Sequence, residues 1–397
     1  MFDIFPLKGG LDNVDGFFSD GLNSGIKTSS IGEKIDGDLA FIRSDCLCEV
    51  EALFTSNHFQ AAPIKHFKSY GKDFKTDFLL INSKNANALT GEKGIEDIKE
   101  ILSHIKNVNN PIMSSTGVIG YPLDKEKIIN TIKKFDFSTK NSDNAARAIL
   151  TTDRFKKEIC LRVEPKGQKP FHVAAICKGA GMIEPSMATM LCFIITDTKI
   201  PKEDMKKLLL RANEKSFNAI SVDGDTSTND TLMLLANGKS QSYDKKAFKA
   251  ALDQITLHLA LEIVKDGEGS SKIVSFCVKG AKSKSEAQRA AKALSNSLLV
   301  KTAIFGEDPN WGRIASTIGS SNIKCDEKSL KIHYDDVLVY EYEHSILAPQ
   351  KEELAHKVMK KPSYKITCDL GIGDGEFTAY GCDLGYGYVK LNAHYRT

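Results

Sequence analysis

No two of the nine cysteines are spaced C-x-x-C, and the nearest pair is Cys46-x-Cys48. An odd, scattered set of this kind argues against a zinc site and against a disulfide framework, so reduced, mostly buried thiols and no metal are expected. The motifs HExxH and GxxxxGK(S/T) are missing as well, which removes the usual signatures of metal-assisted hydrolysis and of ATP-driven chemistry. No apolar run approaches the ~20 residues of a membrane span, and Met1-Phe-Asp-Ile-Phe-Pro-Leu7 lacks a basic stretch followed by an apolar one. A cytoplasmic protein with no membrane partner is expected. Charge of one sign is also lacking: 54 basic and 51 acidic side chains are interspersed to a net +3, which leaves no electrostatic footprint for nucleic acid. Internal repeats, low-complexity tracts and flexible linkers are absent too.

What is present suits a compact enzyme, because 397 residues are enough to bury a substantial core. The first ninety residues are rich in short apolar runs bounded by turn formers (Ala40 to Arg43, Glu49 to Thr55, Phe78 to Ile81), which predict paired strands. Asn82 to Gly91 is a polar loop, and Glu92 to Asn107 carries isoleucine and leucine at helical spacing. Pro111 to Gly120 predicts a strand that breaks at Thr116-Gly117. Helices are predicted over Asp124 to Phe135 and Ser142 to Leu150 with Asp and Ser as caps, from Pro201 to about Phe217, over Phe248 to Val264, and from Glu286 to about Val300.

Gly267 reads as the stop of the helix before it, with Glu268 projecting from its exit. Lys272 to Val278 predicts a strand, and Asp308-Pro-Asn-Trp-Gly312 is a turn cluster. A hairpin around Asp335-Asp336, a helix over Gln350 to Lys360 and strands at Tyr364 to Leu370 and Glu376 to Cys382 complete the chain. Gly371-Ile-Gly-Asp-Gly375 joins two strands and is a turn, not a dinucleotide fingerprint. The order is not a regular βαβ alternation. It predicts an α/β (α+β) layered sandwich of mixed or antiparallel sheets covered by helices.

The organising stretch runs from the strand Phe171 to Cys177 through Lys178-Gly-Ala-Gly-Met182 and Met187-Ala-Thr-Met190 into a second apolar strand. Glycines allow a tight backbone there, Lys178 brings a cation, and the small Ala188 leaves the carbonyl before Thr189 open to attack. Taken alone, the same pattern describes an ordinary strand, loop, strand connection. The run Asp223-Gly-Asp-Thr-Ser-Thr-Asn-Asp230 has acids at alternate positions but not the spacing of a calcium loop, so a hydrogen-bonded loop lining a site is expected.

Six stretches together carry more information than any one. The central segment, Ser114-Ser-Thr-Gly-Val-Ile-Gly120, Gly224 to Asp230, Lys265-Asp-Gly-Glu-Gly269, Gly306-Glu-Asp-Pro-Asn-Trp-Gly-Arg313 and Asn392-Ala-His-Tyr-Arg-Thr397 resemble, in order, the motifs of the ornithine acetyltransferase (glutamate N-acetyltransferase) family of arginine biosynthesis. That resemblance implies self-cleavage between Ala188 and Thr189, giving an alpha fragment (1–188) and a beta fragment (189–397) of one folded body. It also implies acetyl transfer from N2-acetylornithine to glutamate through acetyl-Thr189, an oxyanion hole at Thr116 and Gly117, and substrate contacts from Thr152, Lys178, Glu268, Asn392 and Thr397. The assembly implied is a heterotetramer of two alpha and two beta fragments. No cofactor is expected; no motif reports a CoA site, so the use of acetyl-CoA as a second donor is left open. His394 departs from the acid the family more often carries in its tail.

The cut has a chemical rationale. A threonine hydroxyl is a poor nucleophile without a base, and no histidine is close in sequence to serve. Freeing the α-amine of Thr189 supplies a group with an ordinary pKa of ~7.7–8.0, suited to general-base work at neutral pH. Two alternatives stay open: an N-terminal-nucleophile amidase or aminopeptidase that hands the acyl group to water, and an uncleaved scaffold or binding protein.

Overall fold

The computed structural model describes residues 1–26, 37–184, 190–344 and 346–394. In chain order the elements are β1 (Phe2–Leu7), β2 (Phe17–Leu22), β3 (Leu39–Phe54), α1 (Ala62–Ser69), β4 (Lys75–Asn82), α2 (Gly91–Ser103), β5 (Ile112–Ser115), α3 (Lys125–Ile132), α4 (Ser142–Ala148), β6 (Lys157–Pro165), β7 (Phe171–Lys178) and β8 (Leu191–Thr196). The remainder comprises α5 (Lys202–Glu214), β9 (Thr231–Ala236), α6 (Lys245–Lys265), β10 (Ile273–Ala281), α7 (Lys284–Asn296), α8 (Leu298–Phe305), α9 (Trp311–Ser320), β11 (Lys331–Tyr334), β12 (Val337–Tyr340), α10 (Pro349–Met359), β13 (Ser363–Asp369), β14 (Gly375–Cys382) and α11 (Tyr386–His394).

Two mixed sheets organise these elements. The larger runs β1-β6-β7-β8-β9-β3-β4-β5, with β2 also paired to β3, and the smaller runs β12-β11-β13-β10-β14. Most pairings are antiparallel; β8 with β9, β4 with β5, and β10 with β13 are parallel. Strands β8 and β9 are buried at every position because both faces of the sheet are covered, which is why Leu191 to Thr196 reads as an unbroken apolar run. Alternation divides their side chains. Val173, Ala175, Cys177, Cys192, Ile194, Leu232 and Leu234 join the core built on α5 and α6, while Ala174, Ile176, Phe193, Ile195 and Met233 join the core that includes α4.

Several expected boundaries move. The runs from Ala40 and from Glu49 are one sixteen-residue strand. Helix α2 stops at Ser103, although Ile105 beyond it is still buried. Asn141, not Ser142, caps α4 by accepting the Asn144 N–H, because the Ser142 hydroxyl accepts Leu11 N–H and donates to Glu158 instead. Pro201 precedes α5 as its extended N-cap. The single helix expected from Glu286 to Val300 is two, since Ser297 takes an extended conformation (ψ 115°) and its hydroxyl caps α8 at Val300. Left-handed backbone after α6 falls at Gly269 (φ 70°), not Gly267, and an added Cβ at Gly269 would sit 2.3 Å from the Tyr388 nitrogen. Strands β6 and β9 and helices α1, α9 and α11 were not anticipated; α1 falls within the first ninety residues, which were read as strand-rich.

Among the nine cysteines, all free, only Cys325 is exposed and Cys46 is half-buried. Among the described residues, no helix is long and apolar enough to cross a membrane.

Candidate active site

Strands β7 and β8 are antiparallel neighbours in which Lys178 pairs with Leu191, and Leu191 pairs in turn with Thr231 of β9. The segment joining β7 to β8 therefore leaves and re-enters the sheet at one place. A cavity of about 130 Å³ opens there. Thr116, Gly117, Thr152, Lys178, Glu268 and Asn392, six of the positions picked out in the sequence, all line it. Ala188, Thr189 and Thr397 lie outside the described residues.

One wall is the turn after β5, and a hydrogen-bonded scaffold sets its shape. Ser115 donates to Asn82 Oδ1 at 2.6 Å, and Asn82 Nδ2 donates to the Asn85 carbonyl at 2.9 Å. From across the sheet the buried Asn229 side chain donates to the carbonyls of Ala86 (2.6 Å) and Ser115 (2.8 Å). Gly117 has φ +134°, and a Cβ there would lie 2.2 Å from the Lys84 carbonyl carbon, so only glycine fits. The Thr116 N–H is committed to the Asn82 carbonyl at 3.0 Å. What the turn can offer an oxyanion is thus the Thr116 hydroxyl and the Gly117 N–H, not both backbone amides.

The second wall carries the cation. Lys178 is almost fully buried, donates to Thr151 Oγ1 at 2.7 Å and stands 3.8 Å from Asp153. One N–H goes to Thr151, so an ammonium with three donors keeps capacity for a ligand carboxylate. Burial alone would raise the Asp153 carboxyl, but the Lys178 and Lys157 cations and the Gly179 N–H together hold it well below the usual carboxylate range. Lys157 is shared by Asp153 (2.8 Å) and Asp266 (2.6 Å). The network therefore joins the start of β6, the end of β7 and the C-terminus of α6.

The third wall is acidic. Glu268 N–H donates to the Ala180 carbonyl, and its Oε2 accepts from Asn392 Nδ2 at 2.8 Å. Gly181 makes room for that carboxylate: a Cβ on it would meet Glu268 Cδ at 2.3 Å. Asp223 accepts the N–H groups of Met182 (2.6 Å) and Ile183 (2.7 Å), which steadies the left-handed Met182 (φ 57°), and the Tyr388 hydroxyl reaches it at 3.3 Å. Burial raises the Asp223 carboxyl despite those backbone donors. The loop read as lining a site does so through Asp223, Asp225, Ser227 and Asn229. Thr151 and Tyr388 were missed. Thr151 adjoins a named position, whereas Tyr388 arrives on α11, for which no helical pattern was read; His394 is exposed near the end of that helix.

Over 401 aligned residues the chain is 53% identical to the arginine biosynthesis bifunctional protein ArgJ of Wolinella succinogenes, with 100% of both chains covered. It is 43% identical over 364 residues to the glutamate N-acetyltransferase of Methanocaldococcus jannaschii, covering 87% of this chain and 90% of that one. The crystal structure of arginine biosynthesis bifunctional protein argJ from Bacillus halodurans, 36% identical, covers 51% of this chain and 98% of its own at a TM-score of 0.49. The ArgJ family model matches residues 19–397, and this chain belongs to that family.

Proposed function

We propose that this protein is an acetyltransferase that moves acetyl from N2-acetylornithine to glutamate in two half-reactions through an acetyl ester on Thr189, after cutting its own chain between Ala188 and Thr189. The observation that carries the reading is the convergence of a cation, an oxyanion-type turn and an acidic wall on one cavity where β7 ends and β8 begins. Thr189 directly precedes Met190, which leads into β8. In the first step the Thr189 hydroxyl attacks the Ala188 carbonyl, the C–N bond breaks, the hydroxyl proton passes to the departing nitrogen, and water opens the resulting ester. The α-amine so released serves as the base when the same hydroxyl attacks the acetyl donor. Amide is exchanged for amide, so neither ATP nor a cofactor is required.

The Thr116 hydroxyl and the Gly117 N–H stabilise the tetrahedral oxyanion, each donor lowering the barrier by ~3 kcal/mol. Lys178 takes a substrate α-carboxylate, Glu268 with Asn392 takes the ornithine ammonium, and Thr152 and Thr397 fix orientation. Fragments 1–188 and 189–397 remain one body after the cut, and the sheet order supports this: β8 and β9 of the second fragment lie between β7 and β3 of the first. Separation would break two ladders of the larger sheet and open both faces of its core. The cytoplasmic enzyme is assembled as two copies of each fragment.

Intact mass of the purified protein with an acetylornithine assay tests the reading. Two chains split at residue 188, and acetylornithine consumed only when glutamate is present, are expected. A single full-length chain in fully active enzyme refutes the cut, and equal consumption without glutamate makes the protein an amidase. Glu268→Gln should raise KM for acetylornithine ~10-fold or more, because the ligand ammonium loses its counter-charge while the Asn392 contact can survive. Unchanged acetylornithine kinetics with loss of glutamate use would reassign this handle.

A further inference from the structure

The two half-reactions make opposite demands on one cavity. Acetylornithine brings one carboxylate and a side-chain ammonium, whereas glutamate brings two carboxylates, and Lys178 is the one cation among the described residues that line the cavity. Glu268, Asp223 and Asp225 line it too, so the wall that suits the ammonium repels a second carboxylate. That carboxylate needs a neutral hydrogen-bond donor.

The side-chain amides have none to spare. Asn392 gives one N–H to Glu268 Oε2 at 2.8 Å and the other to the Tyr388 carbonyl at 3.1 Å, and Asn229 gives both of its own to the carbonyls of Ala86 and Ser115. Tyr388 is different. It stands one turn before Asn392 on α11, and its hydroxyl reaches Asp223 Oδ2 at 3.3 Å, a long contact for an O–H donor. Asp223 does not depend on it, because the N–H groups of Met182 and Ile183 meet its two oxygens at 2.6 and 2.7 Å. Burial, with the Asp223 and Glu268 charges beside it, pushes the Tyr388 phenol up, so its proton stays in place.

We infer that Tyr388 is a specificity-determining residue for the acetyl acceptor: when glutamate enters, the Tyr388 hydroxyl leaves Asp223 and donates to the glutamate carboxylate that Lys178 does not hold. This rests on the reading of the reaction as transfer from acetylornithine to glutamate. In the first half-reaction the hydroxyl stays on Asp223 while Glu268 meets the ornithine ammonium. The phenol keeps its proton throughout, and only its acceptor changes.

Tyr388→Phe removes one oxygen and keeps the ring on α11. Loss of a hydrogen bond to a charged partner predicts that kcat/KM for glutamate falls ~10–100-fold, chiefly through KM. The single-turnover burst of ornithine from acetylornithine alone should keep its rate and its acetylornithine dependence within about twofold. Unchanged use of glutamate overturns the inference. So does an equal or greater loss in the burst, or a variant that stays uncut, since either would make the hydroxyl a support for Asp223 and the Met182 turn only. Wild-type enzyme that gives no burst, or passes no acetyl to glutamate, would instead defeat the reading beneath it, an outcome visible before any variant is made.

Discussion

Thr189→Ala is expected to leave a full-length chain with no measurable transfer, a loss of at least ~10⁴-fold, because one hydroxyl performs both the attack on the Ala188 carbonyl and the attack on the acetyl donor. Two other polar groups of the cavity have roles of their own. Lys178 is engaged with Thr151, and the Thr116 hydroxyl belongs to the turn proposed to stabilise the oxyanion. The uncut variant should still fold, since the ladder of β7 with β8 holds both ends of the connecting segment whether or not that segment is continuous. Thr189→Ser is the control: it keeps the hydroxyl and gives up only the χ1 restriction of a β-branched side chain, so cutting and transfer should both persist at reduced rates. Intact mass and the acetylornithine assay check both variants. Transfer by Thr189→Ala, or a cut in it, would remove this residue from the mechanism.

Much of the site was legible because its parts are short, local motifs. Gly117 had to be glycine where the chain passes the Lys84 carbonyl, and Lys178 and Glu268 sit at the ends of a strand and a helix whose apolar patterns were plain. The turn clusters likewise placed the loop from Asp223 to Asp230 correctly. Less readable was what depends on tertiary context. Strand β9 is a six-residue apolar run that periodicity alone does not distinguish from a piece of helix, and only its place between β8 and β3 makes it a strand. Helix α11 has no buried residue, so its sequence shows no amphipathic stripe, and with it went Tyr388. The break at Ser297 was passed over because Leu294 and Leu298 keep an i, i+4 apolar spacing across it, although Ser295-Asn296-Ser297 are weak helix formers.

Lys157→Met is expected to lower stability by about 3 kcal/mol at neutral pH and to reduce transfer as well. Lys157 is fully buried between Asp153 and Asp266, and removing its charge leaves two buried carboxylates sharing less compensation. The cost sits at the lower end of the range for a broken buried pair because Arg154 still meets Asp266 at 3.0 Å and Lys178 still faces Asp153. Activity suffers through position: Asp153 adjoins Thr152 and holds Gly179 N–H at 2.7 Å, and Asp266 lies two residues before Glu268. The effect should depend on pH in a defined sense. Asp153 is held below its unfolded value of ~3.9, so its contribution is present above about pH 4 and is lost as the pH falls toward the depressed folded value. Burial works against the Lys157 charge, but Asp153 and Asp266 raise its pKa overall, so its contribution is present below ~10.4 and is lost only as the pH rises through the higher folded value. Thermal midpoints of the wild type and Lys157→Met should therefore differ most between about pH 5 and 9 and draw together progressively below about pH 4, as the pH falls toward the depressed value of the Asp153 carboxyl. A difference that stays constant from pH 7 to pH 3 would show that Lys157 acts by packing, not by charge, and the ion network would lose its place in holding Lys178 and Glu268 on opposite walls of the cavity.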